Sequence, residues 1–304
     1  MNWSVLAQEL GQQVTGKVIA LAPMRDYTTW RIGGPADLLC NPRTEGDVLT
    51  ALKFAEEYGL PVTVIGNGSN LLVQDGGIRG LALRIEGGLD SVQVEGNRVL
   101  AGAGILLPSL SRIALRAGLS GLEFAAGIPA SLGGAVVMNA GAFGQCLGDL
   151  VLEVDVVGYD GNRKLLPGSD LLFSYRTSSL LDQKLIILKA VLQLITETPF
   201  AIAERMEKNL AYRRRTQPLN LPTAGSVFRN PPGHYAAELI ELAGLKGARV
   251  GDAQVSPKHA NFIVNLGNAS ARQVITLIEM IKEQVRSRFG IELVPEIRLV
   301  GEEG

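Results

Sequence analysis

Four stretches of this chain carry residue types from which a reaction could be assembled. Gly66-Asn67-Gly68-Ser69-Asn70 places small residues beside a hydroxyl and two amides, directly after an apolar run. Backbone N–H groups in such a loop, with the Ser69 hydroxyl and the Asn70 amide, suit a pyrophosphate; the same residues also suit a tight turn without a ligand. The loop is neither a P-loop nor a G-x-G-x-x-G dinucleotide fingerprint, because no Gly-Lys-Ser/Thr follows and the third glycine is missing. Residues 127–144 form a second stretch, without one charged side chain and full of glycine and alanine. A flat aromatic ligand can lie against so small-sided a backbone, and close helix–sheet packing favours the same composition. The third is Ser174-Tyr175-Arg176, following Leu171-Leu172-Phe173, which reads as a strand. An arginine there is either a fork of donors in a site or ordinary surface. In the fourth, Gly225-Ser226-Val227-Phe228-Arg229-Asn230-Pro231, a serine sits in a loop with no histidine nearby in sequence to activate it as a nucleophile.

Composition removes several classes of chemistry. Two histidines (His234, His259) and two scattered cysteines (Cys40, Cys146) make neither a disulfide framework nor a His/Cys metal centre, so no metal is expected. A net charge of -1 gives no reason to expect nucleic acid or a membrane surface as partner. The start, Met1-Asn2-Trp3-Ser4, does not read as a signal peptide, and no apolar run approaches the ~20 residues of a membrane span, so a soluble cytoplasmic protein is expected. Glycine is enriched, at 36 of 304 residues, and gathers in short loops where backbone must turn or approach something closely.

These stretches need elements to hold them. Thr44-Glu45-Gly46-Asp47 reads as a capping box opening a helix with Val48, Leu49, Leu52 and Ala55 on one face, ended by Gly59. Short strands follow at residues 61–65 and 80–85, then a hairpin of residues 91–95 and 98–102 across Gly96-Asn97. A helix at residues 106–117 with Pro108 in its first turn precedes strands at 150–157 and 184–195 and a basic helix at 201–215. The last region has a helix near 235–243, a strand at 261–266 and the clearest helix of all. Ser270 and Gln273 box its start, Val274, Leu277, Ile278, Ile281 and Val285 line one face, and Gly290 ends it. A final strand over residues 291–300 would put Glu292, Val294, Glu296 and Arg298 on one face, as solvated surface or as the wall of a polar cleft. Pro295 within it indicates an edge. The chain thus reads as α+β, with boundaries expected at residues 1–88, 89–197 and 198–304.

Six segments in fixed order go beyond pattern. Thr29-Trp30-Arg31-Ile32-Gly33-Gly34-Pro35-Ala36-Asp37, Gly66-Asn67-Gly68-Ser69-Asn70-Leu71-Leu72, the run 127–144, Ser174-Tyr175-Arg176, Gly225 to Pro231, and Pro295-Glu296-Ile297-Arg298 together resemble the UDP-N-acetylenolpyruvoylglucosamine reductase family over nearly the whole chain. Residues 177–183 are too few for that family's fold-over insertion, so the shorter subtype is implied. The resemblance implies an FAD-binding fold of the vanillyl-alcohol-oxidase type, two α+β subdomains around non-covalent FAD, and an α+β substrate-binding domain whose last strand returns to the cleft. It also implies NADPH as co-substrate and a UDP-sugar substrate whose enolpyruvyl group is reduced for peptidoglycan synthesis. No obligatory protein partner is implied. FAD contacts are expected from Gly66, Asn67, Gly68, Ser69, Asn70 and Leu71, and from Gly127, Ile128, Pro129, Ser131, Gly133, Gly134, Asn139, Ala140 and Gly141. Ser226 matches the family's proton donor, and Arg176 and Glu296 its other two catalytic positions. Tyr175, Asn230 and Arg298 match substrate-contacting positions. His259, in Val255-Ser256-Pro257-Lys258-His259-Ala260-Asn261-Phe262, is placed near the nucleotides or in a structural role.

The chemistry suits these residue types independently. Hydride addition to an α,β-unsaturated carboxylate builds negative charge on the carboxylate, where an arginine fork stabilises it. The alpha carbon then needs a proton, which a positioned hydroxyl can deliver. Two other readings stand beside this one: a flavin-dependent alcohol oxidase of the same fold, and a non-catalytic UDP-sugar binding protein.

Overall fold

Thr44 opens its helix as the spacing predicts. Its hydroxyl accepts from Asp47 N at 3.0 Å, and the helix Glu45–Glu57 buries Val48, Ala51, Leu52, Phe54 and Ala55. Leu49 lies off that face and is exposed. Asp47 does not return the bond to complete a capping box. Its carboxylate accepts instead from Thr15 N, Thr15 Oγ1, Gly16 N and Arg43 N, at 2.8–3.1 Å, pinning the loop that precedes the first strand. Four such bonds outweigh its burial and hold the Asp47 carboxyl below its usual range.

The chain, a computed structural model of residues 1–304, divides into two units. One comprises Met1–Ala20, Leu38–Asn67 and Gly80–Tyr212; the other comprises Leu21–Asp37, Gly68–Arg79 and Arg213–Gly304. Neither unit is a continuous segment of the kind drawn from the sequence. One sheet has its strands in the order Lys17–Pro23, Pro35–Asn41, Ile78–Arg84, Val62–Ile65, the last two parallel. The hairpin Val92–Glu95 and Arg98–Gly102 forms with Glu95 opposite Arg98. It edges a five-stranded antiparallel sheet completed by Leu185–Gln193, Val151–Gly158 and Arg163–Pro167. One apolar cluster joins both sheets, running from Leu10 through Phe54, Leu83, Val99, Leu110 and Phe124 to Val154 and Leu192. The helix Pro199–Thr216 packs Ile202 and Met206 on Ala126. Its Arg205 meets the buried Glu123 carboxylate at 2.7 Å.

Leu171-Leu172-Phe173 is not the strand expected. The chain there leaves a short 3₁₀ turn (Gly168–Asp170), exposes Leu172, and enters a tight turn closed by Ser174 N to Thr177 O (3.0 Å) and Thr177 N to Ser174 O (3.2 Å). Local backbone bonding across four residues replaces a ladder, and Arg176 sits in it with φ 58°.

In the second unit the helix Ala271–Phe289 has the capping box of Ser270 and Gln273 and a left-handed Gly290 at its end. Asp75 adds acceptors for Ala271 N and Arg272 N at 2.9 and 3.0 Å. Val274, Leu277, Ile281 and Val285 meet Trp30, Ile32, Phe228 and Ile240 in a separate core. The strands Arg249–Val250, Ala253–Val255 and Ile263–Asn265 form an antiparallel sheet. The final strand is shorter than expected. Only Arg298–Val300 pairs as a strand, parallel to Leu71–Val73, while Pro295 makes an isolated bridge to Phe228. Leu293 and Ile297 are the buried positions, four apart rather than two. The chain bends at Ile297, where its backbone changes partner: Glu296 N donates to Val227 O, and Arg298 N to Asn70 O. No helix is long and apolar enough to cross a membrane.

Candidate functional site

The first unit holds Gly66, Asn67 and the whole run 127–144. Asn67 donates through Nδ2 to Pro129 O at 2.7 Å, tying the two glycine-rich loops together. A Cβ on Gly66 would lie 2.3 Å from Ser131 Oγ, so any side chain here would collide with that serine. Ser131 is 1% exposed, and its hydroxyl has no protein partner. A buried O–H without a protein partner, next to glycine backbone, suits an acceptor such as a phosphate oxygen. Gly133 packs close to Ala103, where a Cβ would fall 2.9 Å from the alanine methyl; Gly134 is exposed, and Gly127, Ile128 and Ala140 are part-buried. Arg176 donates through Nη2 to Gly141 O at 2.7 Å, and its guanidinium stands 5.0 Å from the exposed ring of Tyr175.

Asn139 lies beside these residues, with its amide engaged by protein at both ends. Nδ2 donates to Ser174 O at 2.9 Å and Oδ1 accepts from Gly148 N at 2.8 Å. Ser178 adds a bond from Oγ to Val137 O at 2.7 Å. Nothing in the sequence pattern marks these pairings, since the bonded positions are 35 and 41 residues apart.

The second unit holds Gly68, Ser69, Asn70 and Leu71, and with them Ser226 and Glu296. Residues 226–229 run as a central extended segment between two others. On one side Ser226 bridges Phe262, and Val227 N donates to Asn261 O at 2.8 Å. On the other, Glu296 N donates to Val227 O at 2.7 Å and Arg229 N to Val294 O at 2.9 Å. The structure therefore brings Ser226 and Glu296, distant in sequence, onto adjacent backbone. Asn70 holds the same edge: its Nδ2 donates to Glu296 O at 3.1 Å, and its carbonyl accepts from Arg298 N at 2.9 Å. Leu71 is the register partner of Arg298. Asn230, exposed, accepts from Ala236 N through Oδ1 at 3.0 Å, fixing the start of the helix Ala236–Leu242.

His259 is half-buried, edge-on to Phe262 with centroids 4.7 Å apart, and its Nδ1 accepts from Asn261 N at 3.3 Å. Burial, reinforced by Lys246, holds its pKa below the usual histidine value. The neighbouring Asn261, buried, does more structural work. Its Oδ1 accepts from Phe228 N at 2.9 Å and its Nδ2 donates to Phe228 O at 2.8 Å, pinning the backbone two residues from Ser226. An asparagine amid Ala260, Phe262 and Ile263 was the available signal for it. No three His, Cys, Asp or Glu side chains gather in a group able to hold a metal ion.

Residues 36–165 match the family described as an FAD binding domain. With the paired glycine-rich loops and the mixed helix and strand architecture, this defines a flavoprotein with an FAD-binding fold of the vanillyl-alcohol-oxidase type. Residues 217–300 match the C-terminal domain family of UDP-N-acetylenolpyruvoylglucosamine reductase. The chain is 50% identical over 302 residues to the UDP-N-acetylenolpyruvoylglucosamine reductase of Moorella thermoacetica, with 99% of each chain covered. It is 46% identical over 303 residues to that of Desulforamulus reducens, with 100% of each covered. The crystal structure of the Thermus caldophilus UDP-N-acetylenolpyruvylglucosamine reductase superposes with a TM-score of 0.80 at 38% identity, covering 93% of this chain and 98% of that one. The chain belongs to the UDP-N-acetylenolpyruvoylglucosamine reductase family.

Proposed function

We propose that this protein reduces the enolpyruvyl group of UDP-N-acetylglucosamine enolpyruvate to UDP-N-acetylmuramate, using NADPH and non-covalently held FAD, in the cytoplasmic stage of peptidoglycan precursor synthesis. The observation that carries the reading is the full-length match to reductases of this name, at 50% identity over 99% of the chain. The buried, partnerless Ser131 hydroxyl beside Gly66 supports the cofactor assignment. Gly66 and Asn67 with Ser131, and Gly68, Ser69 and Asn70, are the residues that would hold the FAD phosphates; the uncharged run from Gly127 to Gly141, apart from Asn139, whose amide is taken up by Ser174 and Gly148, would take the flat part. Held by these residues, FAD would supply the two-electron chemistry that links oxidation of NADPH to reduction of the enolpyruvyl double bond.

The chain's own residues do the rest. Arg176 directs donors at the substrate carboxylate, where charge grows in the transition state. Its turn and its bond to Gly141 O limit the motion of the fork, so little reorganisation is needed when charge appears. Glu296 acts with it, and an acid there assists only in its protonated form. Ser226 gives the proton to the alpha carbon. Its backbone is fixed through the Phe262 bridge, and Val227 is held on both sides, which supports a hydroxyl aimed at one carbon. Tyr175, Asn230, Arg298 and His259 contact the UDP-sugar.

The deciding experiment is NADPH consumption with and without the enolpyruvyl substrate, under air and under nitrogen. Turnover that needs the substrate and ignores oxygen supports the reductase; turnover that needs oxygen and an alcohol instead would make it an oxidase, and a colourless protein that cannot take up FAD would end both.

A further inference from the structure

Resting on the assignment of Arg176 above, we infer that Asn139 is the positioning residue for that arginine rather than a contact to the cofactor. Asn139 is 4% exposed and has φ 45°, a left-handed conformation that asparagine tolerates better than most residues. The conformation turns its amide toward two chain segments at once. Oδ1 takes the Gly148 N–H and Nδ2 gives to Ser174 O. Ser174 O is also the acceptor that closes the 174–177 turn, from Thr177 N at 3.2 Å. One amide therefore locks the first corner of the turn in which Arg176, itself left-handed at φ 58°, presents its guanidinium.

Arg176, in the turn, and Ser178, one residue beyond it, add side-chain links to residues 137–141, through Gly141 O and Val137 O. Asn139 is the member of the set that also anchors to Gly148. A Cβ on Gly148 would fall 2.6 Å from the Phe173 ring and 3.0 Å from Asn139 Oδ1, so that junction is close-packed and the amide has a fixed seat. The arrangement sets where the fork starts, and the glycine-rich segment that supplies the anchor is the one that faces the cofactor in the reading above.

The test uses FAD-loaded enzyme and the variants Asn139→Gly, Asn139→Asp, Arg176→Ala and Asn139→Gly with Arg176→Ala. Glycine removes the amide without adding left-handed strain, which alanine would add. Aspartate keeps an acceptor for Gly148 N but cannot donate to Ser174 O. Both single Asn139 variants are expected to retain FAD and to be bleached by NADPH at the wild-type rate. Their reoxidation by the enolpyruvyl substrate should slow by ~10²-fold, the scale of a 1 Å misplacement. The double variant should be no slower than Arg176→Ala alone, because two residues acting through one group are not additive. Hydrogen exchange gives a readout independent of turnover: peptides covering residues 172–180 should lose protection in both Asn139 variants. Additive losses, a weakened FAD affinity with normal reoxidation, a wild-type Asn139→Asp, or unchanged exchange over 172–180 would each overturn the proposal. If the wild-type enzyme were itself not reoxidised by the substrate, the assignment of Arg176 would fall, and the exchange comparison would still decide whether Asn139 holds the turn.

Discussion

Gly68→Ala separates two costs that glycine usually hides together. Gly68 has φ +65°, and Gly59, after the helix Glu45–Glu57, has nearly the same φ of +63°. An alanine at either position meets the left-handed penalty, about 1–2 kcal/mol. At Gly59 nothing lies within 4 Å of the added Cβ. At Gly68 the Cβ would stand 2.4 Å from Tyr27 O and 2.9 Å from Thr28 Cα, both backbone atoms with no rotamer to change. That backbone is held: Thr28 is buried with Oγ1 donating to Ile32 O at 2.9 Å, and Thr29 N donates to Gly68 O at 3.2 Å. Forcing a methyl into a packed site adds a further ~1–3 kcal/mol. Gly59→Ala should therefore cost about 1–2 kcal/mol and Gly68→Ala about 2–5 kcal/mol, measured as urea midpoints by far-UV circular dichroism without added cofactor. FAD affinity, titrated on each folded variant, should fall for Gly68→Ala alone. Equal stability losses for the two variants would refute the claim that close backbone approach, and not conformation alone, requires the glycine.

Ser226→Ala should leave NADPH-driven bleaching of the flavin near normal and slow reoxidation by the enolpyruvyl substrate by ~10²–10⁴, the range for a lost general acid; in stopped-flow absorbance, equal slowing of both halves would make the serine structural. Arg176→Ala should lower turnover by ~10²–10³, the effect of removing one preorganised donor. Arg176→Lys should rescue little, since a point charge does not replace a fork, and a wild-type lysine variant would contradict the assigned role. Burial would raise the Glu123 pKa, but Arg205, Gly121 N and Ser120 outweigh it and hold the carboxyl below its usual range. A carboxyl depressed on folding stabilises above the ordinary range and loses that contribution as pH falls through the depressed value. The unfolding midpoints of wild type and Glu123→Gln should accordingly differ more at neutral pH than in acid, and a gap that widens in acid would reverse the sign. Arg205→Ala, which removes the partner of a buried carboxylate, should cost about 3 kcal/mol at neutral pH in the same measurement.

Features made by neighbours in sequence were legible without the fold. The Ser270–Gln273 box, the Gly290 terminus and the Gly96-Asn97 hairpin each depend on bonds spanning a few residues, and each forms where its residues indicate. The glycine-rich loops and the family resemblance carried by six ordered segments were equally plain, because residue type and order suffice to state them. The sequence misled where a local pattern was weaker than a distant contact. Asp47 has the spacing of a capping box, yet its carboxylate goes to Thr15, Gly16 and Arg43, because four donors in one place outcompete one. The period-two reading of residues 291–300 failed because the segment changes partner midway, from residues 227–229 to Asn70 and Leu71, with a bend at Ile297, so buried Leu293 and Ile297 fall four apart.

What the sequence determined by itself was therefore the inventory: which residues have donors, acceptors and small side chains, and which short runs can form helix, hairpin or turn. The tertiary structure decided which of them meet. Glu296 comes against Val227, one residue from Ser226, because residues 226–229 take backbone partners from 261–262 on one side and 294–296 on the other. Asn139 reaches Ser174 because two loops 35 residues apart are laid side by side. Hydrogen bonds act over about 3 Å while the intervening chain can follow many routes, so pairings of this kind exist only once the apolar cores have chosen one route.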